Sequence, residues 1–217
     1  CLVSILPGMA QTEKLTDYVN PFVGTDGYGN VYPGAQIPFG GIQISPDTDS
    51  RFYDAASGYK YNHLTLMGFS LTHLSGTGIP DLGDFLFIPG TGEMKLEPGT
   101  HEDPDQGYRS RYSHDKEWAS PNYYAVELAD YGVKAEMTSG VRSGMFRFTY
   151  PESDNAFIMI DMNHTLWQSC EWSNLRMIND STITGYKLVK GWGPERHVYF
   201  TATFSKKLTG LRFVQDK

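Results

Sequence analysis

The sequence has little of what disulfide-rich, nucleic-acid-binding or membrane-spanning proteins need. Its 217 residues include two cysteines, and Cys1 falls in an apolar leader, so Cys170 has no predicted disulfide partner. Lys and Arg number 18 against 25 Asp and Glu, and the net charge of −7 disfavours nucleic acid or an anionic membrane as a partner. No apolar run approaches the roughly 20 residues of a membrane-spanning helix. A neutral ligand fits this composition better.

A sustained helical period is also missing, since no 3.6-residue pattern persists for three turns. The 23 glycines and 12 prolines divide the chain into short segments, and 40% apolar residues suffice for the core of one domain. Apolar positions alternate at Ile37, Phe39, Ile42 and Ile44, and residues 122–138 predict a hairpin that turns at 130–132. Further strands are predicted in "FLFIP", "GMFRFTYP", "AFIMIDMN", "STITGYKLV" and "HVYFTATFS". The pattern is typical of an all-β protein.

Residues 1–10 have the character of a truncated secretory signal. The stretch is apolar and ends in Gly8, Met9 and Ala10, with small residues where signal peptidase prefers them. A lipidated Cys1, left by lipoprotein processing, is the alternative interpretation. We therefore expect a secreted or periplasmic bacterial protein, with lipid anchoring as the second possibility.

The stretch "GFSLTHLSGTGIPDLGDFLFIPG" contains residue types that suit a hydrolase. A strand over "FSLTHL" would place His73 and Ser75 on one face, but the GxSxG nucleophile motif is absent, which disfavours a serine hydrolase. Asp81 and Asp84 could hold a metal, and we favour the alternative that they cap a turn before the buried strand "FLFIP". Another polar cluster lies at residues 114–118, ahead of a predicted strand.

Two loop regions have residues that suit a sugar ligand. The Gly-rich stretch 20–40 lacks the Lys and Ser or Thr of a phosphate loop, yet Thr25, Asp26 and Asn30 could bond sugar hydroxyls. A plain connecting loop is the alternative. Residues 45–61 begin like a calcium loop with Asp47 and Asp49. Arg51, Phe52 and Gly58 then stand where an EF-hand needs a third oxygen ligand, the turn glycine and the bidentate Glu, so this motif is excluded. The tyrosines of residues 45–61 could stack on sugar rings or serve as ordinary strand aromatics.

Several blocks together resemble the amino-terminal domain of glycoside hydrolase family 92, the secreted bacterial exo-α-mannosidases. The resemblance covers about residues 17–210 and rests on "VNPFVGTDGYGNVYPGAQIPFGGIQISPDT", "SGYKYNHLTLMGFSLTHLSGTGIPDLGDFLFIPG", "HDKEWASPNYYAVEL" and "GWGPERHVYFTATFSKKLTG". It implies that residues 17–217 form an antiparallel β-supersandwich similar to galactose-mutarotase-like sugar-binding domains. It also implies packing on a larger carboxy-terminal helical barrel that this chain does not contain.

The resemblance further implies part of a calcium-dependent inverting α-mannosidase that hydrolyses mannose-containing glycans. In the family the general acid, the general base and the calcium ligands come from the helical barrel, so we expect no catalytic or metal-binding residue in this chain. This domain would form one wall of the mannose pocket. A non-catalytic carbohydrate-binding or structural module is the alternative.

The family's "GTGGHGH" loop is similar to "GTDGYGN" in this sequence. The resemblance therefore implies a set of substrate-binding residues in this loop, in the tyrosine-rich segment and in the histidine motif: Thr25, Asp26, Gly27, Tyr28, Asn30, Tyr53, Asp54, Tyr59 and His73. Tyr28 and Asn30 replace histidines of the family pattern. Ala55 and Ala56 stand where members acting on α-1,2 linkages have Trp and Cys, so the linkage preference stays open.

Overall fold

The structure, a computed structural model, describes residues 13–51, 53 and 55–214, so the predicted leader at 1–10 and Asp54 lie outside the described residues. Helical structure in these residues consists of three short 3-10 turns, at Leu15–Tyr18, Pro104–Gln106 and His114–Lys116. No described helix has the length and apolar character needed to cross a bilayer. The strands in chain order are β1 Ala35–Gln36, β2 Gln43–Asp47, β3 Thr65–Leu66, β4 Gly68–Ser70, β5 Leu86–Thr91, β6 Ser110–Arg111, β7 Glu117–Ser120, β8 Tyr123–Leu128, β9 Val133–Ser139, β10 Gly144–Thr149, β11 Ala156–Asp161, β12 Ser169–Asn179, β13 Thr182–Lys190 and β14 Arg196–Thr203.

The first sheet has five antiparallel strands in the order β1-β2-β4-β5-β11. Its β5 strand contains most of the apolar run "FLFIP", and all its residues but the last are buried, as the continuous hydrophobic stretch predicts. Leu86 and Ile88 of β5 pack beside Tyr108, whereas Phe87 between them lies 5.1 Å, ring to ring, from Phe146 of β10. The sheet therefore buries apolar side chains on both faces.

The second sheet has four antiparallel strands in the order β10-β9-β8-β7 and contains the predicted hairpin. Leu128 pairs with Val133 at its turn, where Gly132 adopts a φ of +64°. The inward face of the hairpin shares one buried cluster with Ile44 and Phe69 of the first sheet. Two antiparallel sheets thus pack face to face, and the predicted all-β antiparallel sandwich is confirmed.

A third sheet, β12-β13-β14, docks on the first through aromatic rings. Phe200 of β14 lies 4.6 Å from Phe85, and its ring covers Gly185 of β13, where a Cβ atom would approach the ring to 2.1 Å. The 11-residue strand β12 was not predicted, because its mostly exposed side chains show no apolar alternation. Its position comes from backbone pairing with β13.

Two predicted strands are wrong in extent. The alternation from Ile37 to Ile44 does not form one strand, because Phe39 is fully exposed and takes a φ of +60° in the turn between β1 and β2. The strand predicted over "FSLTHL" ends at Ser70. His73 beyond it is buried and Ser75 is exposed, so the two side chains do not share a face. This arrangement provides no serine and histidine pair for nucleophilic catalysis.

A buried charge network joins the third sheet to the first. Lys187 of β13 is completely buried, and its Nζ lies 3.1 Å from Asp84 Oδ1 and donates to the His164 carbonyl at 2.6 Å. Arg196 also pairs with Asp84, whose pKa stays below its usual value because these cations outweigh the effect of burial. Asp84 is therefore an ion-pair anchor and not merely a turn cap, a role that the sequence did not reveal. Asp81 accepts a local N–H, from Leu82, as a cap does.

We expect Asp84→Asn to lower the free energy of unfolding by about 3–5 kcal/mol, because Lys187 would keep a buried charge without its carboxylate. Urea unfolding of the purified protein measures this change. Adding Lys187→Met to the same variant should restore much of the lost stability, since no unpaired lysine then remains. Asp26→Asn, at an exposed loop, serves as the control, and equal effects of the Asp84 and Asp26 variants would contradict the network's role.

Candidate functional site

Three consecutive buried residues at and after the end of β2 organise the loops around the candidate site. Asp47 contacts His73 and His164, whereas the next residues, Thr48 and Asp49, face different partners. The backbone N–H groups of Thr48 and Asp49 both approach the Gly58 carbonyl, at 2.7 and 3.3 Å, which folds the segment 55–61 against the strand. Gly58 has a φ of +86°, and a Cβ atom there would lie 2.1 Å from Asp47 Oδ1. Only glycine permits this close approach.

The Asp47 carboxylate is fully buried between two imidazoles. His73 Nε2 lies 2.7 Å from Oδ1, and His164 Nε2 lies 2.8 Å from Oδ2. His73 Nδ1 lies 2.7 Å from the Gln43 carbonyl oxygen, so both ring nitrogens of His73 lie against oxygen atoms. Burial alone would raise the pKa of Asp47, but the two histidines hold it well below its usual value.

Tyr59 and His73, both predicted to bind substrate, lie inside the domain. They are 2% and 3% exposed. The Tyr59 hydroxyl donates to the Glu117 carboxylate at 3.0 Å, and burial raises the pKa of this phenol well above its usual value. Neither side chain presents a polar atom to solvent in this chain. Their direct contact with sugar stays a prediction, and their geometry fits a positioning role.

The Gly-rich loop presents Asp26, Gly27 and Tyr28 at an exposed tip. Asp26 Oδ1 accepts the Gly27 N–H at 2.7 Å, and the Asp26 carbonyl accepts the Gly29 N–H at 3.2 Å. A Cβ atom on Gly29 would lie 2.2 Å from the Gly24 carbonyl oxygen, so the tight closure of this loop requires glycine there. Tyr28 is 92% exposed. The loop therefore offers a carboxylate and a free aromatic face on a defined backbone.

Thr25 and Asn30 anchor this loop to its neighbours. Thr25 is buried, its hydroxyl donates to the Phe22 carbonyl at 2.8 Å, and its own carbonyl accepts the Tyr61 N–H at 2.9 Å. Asn30 takes a φ of +51°, and its carbonyl accepts the Gly76 N–H at 2.7 Å. The loop is thus tied to the tyrosine-rich segment and to the chain that follows His73. The buried Thr25 side chain therefore stabilises the loop, and it is not exposed to a ligand.

Two tyrosines of the segment 53–61 reach the surface. Tyr53 is 52% exposed and adopts a φ of +66°, which is uncommon for a bulky residue. Tyr61 is 37% exposed and stacks on the His114 ring, with 3.9 Å between centroids and 5° between planes. His114 is in turn hydrogen-bonded to Glu117 at 2.6 Å. Tyr53 and Tyr61 therefore keep aromatic area that a sugar could cover.

Two surface depressions lie away from the predicted substrate-binding residues. An open depression of about 660 Å³ is bordered by Arg111, Lys116 and Glu127, and a smaller one lies near Asp105. Neither contains any of the predicted substrate-binding residues. The predicted residues instead lie in one system of loops around the end of β2. Of the predicted residues, Asp26, Gly27, Tyr28 and Tyr53 are exposed, whereas Thr25, Tyr59 and His73 are buried.

A cluster of three possible metal ligands, Asp49, His63 and His101, was missed by sequence reasoning. One ligand atom from each lies within 4.8 Å of the others. Burial and the neighbouring His101 lower the pKa of His63 to about 4. No local motif links these positions, since three separate loops supply them. In the sequence, Asp49 fits only the start of an EF-hand, a motif that needs oxygen ligands at fixed spacing along one loop.

We expect Asp47→Asn to lower the free energy of unfolding at pH 7 by about 3–5 kcal/mol, because His73 and His164 would each lose a hydrogen bond to a buried, charged acceptor. The folded-state pKa of Asp47 lies below the unfolded value of about 3.9, so its contribution is complete above about pH 5. It is lost as the pH falls below about 4. Urea unfolding across this pH range should show that acidification lowers the free energy of unfolding less in Asp47→Asn than in Asp26→Asn. Identical pH profiles of the two variants would contradict the assignment.

Comparison with known proteins gives one family for this chain. The family described as glycosyl hydrolase family 92 N-terminal domain matches residues 18–217. An uncharacterized secreted glycosidase of Arthroderma benhamiae is 30% identical over 139 residues, which are 63% of this chain and 17% of that protein.

Solved structures show the same fold. The GH92 family glycosyl hydrolase ccman5 superposes with a TM-score of 0.71 at 28% identity, covering 86% of this chain and 26% of that one. An inverting mannosidase of family GH92 from Bacteroides thetaiotaomicron gives 0.67 at 24% identity, over 88% of this chain and 25% of that one, and shows the fold alone. The chain therefore spans only about a quarter or less of these relatives. Because the family match extends over residues 18–217, the chain belongs to glycosyl hydrolase family 92, within its N-terminal domain.

Proposed function

We propose that this chain is the N-terminal part of a secreted, calcium-dependent inverting exo-α-mannosidase that hydrolyses α-mannosides of glycans. Its own role is to form one wall of the mannose pocket, at an interface with a carboxy-terminal helical barrel. The family membership over residues 18–217 carries the proposal. The exposed tip at Asp26–Tyr28, fastened to Tyr61 through Thr25, supports the assignment of this surface. The relative described as a secreted glycosidase supports secretion to the medium or the periplasm.

The wall combines hydrogen-bonding groups with aromatic faces. Asp26 and Asn30 supply carboxylate and amide groups for sugar hydroxyls, and Tyr28 and Tyr53 supply rings that cover apolar sugar faces. The hydrogen bonds that hold the loop in place reduce the ordering that binding would otherwise require. A sugar held between this wall and a second domain loses contact with water on both sides.

The catalytic acid and base are proposed to lie in the helical barrel. Inverting hydrolysis needs two carboxyl groups roughly 6.5–9.5 Å apart with a water between them. The buried carboxylates Asp47, Asp84 and Glu117 of this chain are each occupied by internal partners. They shape the domain and are not free to exchange protons with a substrate. This chain therefore binds and orients the sugar.

The calcium ion is likewise proposed to be held by the helical barrel. Calcium in proteins takes six to eight oxygen ligands. The one group of three or more metal-binding side chains found in the described residues has two imidazoles and a single carboxylate, which does not fit calcium. No step of catalysis is assigned to an ion bound in this chain.

We expect Tyr28→Ala and Asp26→Ala in the full-length protein to raise KM for an aryl α-mannoside about 3- to 10-fold each, from lost contacts of roughly 1 kcal/mol. Steady-state kinetics in calcium-containing buffer, with the product anomer followed by NMR, measures both the effect and the inversion. Tyr199→Ala, an exposed tyrosine on β14, is the matched control. A parent enzyme that shows no α-mannosidase activity would contradict the proposed function.

We also expect residues 13–214 alone to hydrolyse no α-mannoside, because the acid and base are assigned to another domain. The same assay on this fragment, checked for folding by circular dichroism, tests that expectation. Turnover by the folded fragment would contradict it. Mannose binding by a full-length protein without any hydrolysis would favour the alternative, a non-catalytic carbohydrate-binding module.

A further inference from the structure

Asp49, His63 and His101 bring a carboxylate and two imidazoles together at the edge of the candidate site. Asp49 follows the end of β2, His63 follows the tyrosine segment, and His101 comes from the loop before β6. Their ligand atoms all lie within 4.8 Å of one another. Asp49 is buried and both histidines are partly buried, so the cluster is enclosed and not a chance meeting of surface groups.

Each histidine is held by a threonine on its far nitrogen. His63 Nδ1 lies 2.9 Å from Thr48 Oγ1, and His101 Nδ1 lies 2.8 Å from Thr65 Oγ1. Such outer hydrogen bonds fix the orientation and tautomer of metal-binding histidines. The Thr48 hydroxyl also accepts the Lys60 N–H at 3.0 Å, which fixes its own position. Nε2 is thus the nitrogen that each ring keeps for a metal.

The Nε2 atom of His101 has no hydrogen bond to any described residue, although it is buried. Buried polar atoms of proteins are nearly always hydrogen-bonded, so this one needs an explanation. It lies 3.4 Å from Asp49 Oδ2, close to the roughly 3.3 Å edge of a tetrahedron whose metal–ligand bonds are about 2.0–2.1 Å. A metal ion at that position would use His101 Nε2 and the carboxylate oxygen together.

Arg51 occupies the same carboxylate from the solvent side. Its Nη2 lies 2.6 Å from Asp49 Oδ2, and its backbone N–H donates to Asp49 Oδ1 at 2.9 Å. The Arg51 side chain is 63% exposed, so a metal ion could displace its guanidinium towards solvent. Its backbone bond would meanwhile keep Oδ2 directed at the histidines. Arg51 therefore competes with a metal and does not prevent one from binding.

A second cation, Arg109, lies behind the cluster. Its guanidinium donates to Thr65 Oγ1 at 3.3 Å and to the Thr48 carbonyl at 2.5 Å. These bonds hold the two supporting threonines in place. The positive charge weakens metal affinity by repulsion but removes none of the three ligands.

The chemistry of these three ligands determines which class of metal ion the cluster would bind. Two imidazoles with one carboxylate suit zinc and similar divalent transition ions, whereas calcium and magnesium prefer oxygen alone. We propose that Asp49, His63 and His101 bind a zinc-class divalent ion that fastens the β2 end, the tyrosine segment and the His101 loop to one another. The ion is distinct from the calcium of the proposed function, and its role is to fix the surface next to Tyr53 and Tyr61.

The test uses the full-length protein, stripped of metal with a chelator and dialysed, and titrated with zinc chloride by calorimetry. We expect the parent to bind one more zinc ion than His101→Ala, or to bind it at least tenfold more tightly. Cobalt chloride should give a visible absorption band in the parent that His101→Ala lacks. His197→Ala, at an exposed histidine on β14, is the control and should match the parent.

Arg51→Gln provides a second test, which does not depend on correct folding of His101→Ala. Because it removes the cation that competes for Asp49 Oδ2, it should tighten zinc binding at least threefold. Calcium chloride should give no such difference between parent and variants. Zinc binding that is equal in the parent, His101→Ala and Arg51→Gln, or no zinc binding by the parent, would overturn the proposal.

Discussion

The position of the candidate site depends on the buried carboxylate of Asp47. A charge without solvent costs several kcal/mol unless it is paired, and the two imidazoles of His73 and His164 supply that pairing. Through them Asp47 joins β2 to the loop after β4 and to the connection between β11 and β12. The His164 carbonyl then accepts from Lys187, which pairs with Asp84. One polar network therefore connects the first and third sheets.

This network separates residues that support the site from residues that can meet a ligand. His73 and Tyr59 keep their polar atoms on protein partners, so they fix the backbone of the segment 55–61. Asp26, Tyr28 and Tyr53 are exposed above that support. A glycan-binding surface needs a rigid backbone and exposed side chains at once, and in this domain the two requirements are met by different residues.

The sequence predicts the all-β antiparallel class, the hairpin at 122–138 and the burial of β5, because local alternation and turn residues encode these features. It does not predict β12, which is held by pairing with β13, nor the end of β4 at Ser70. Asp49, His63 and His101 meet only in the folded chain, so no spacing indicates their cluster. Residue types alone make Asp26 and Asn30 candidates for sugar binding, but they are also typical of an ordinary loop, and only the resemblance to the family favours the first interpretation.

The central claim is that this domain forms a wall of a mannose pocket whose catalytic groups lie in another domain. The most direct measurement is a crystal structure of the full-length protein with a non-hydrolysable α-mannoside analogue bound. The account predicts that the sugar lies between the two domains, with Asp26 or Asn30 within hydrogen-bond distance of its hydroxyls. A sugar bound entirely within the second domain, with the 24–30 loop facing solvent, would contradict it.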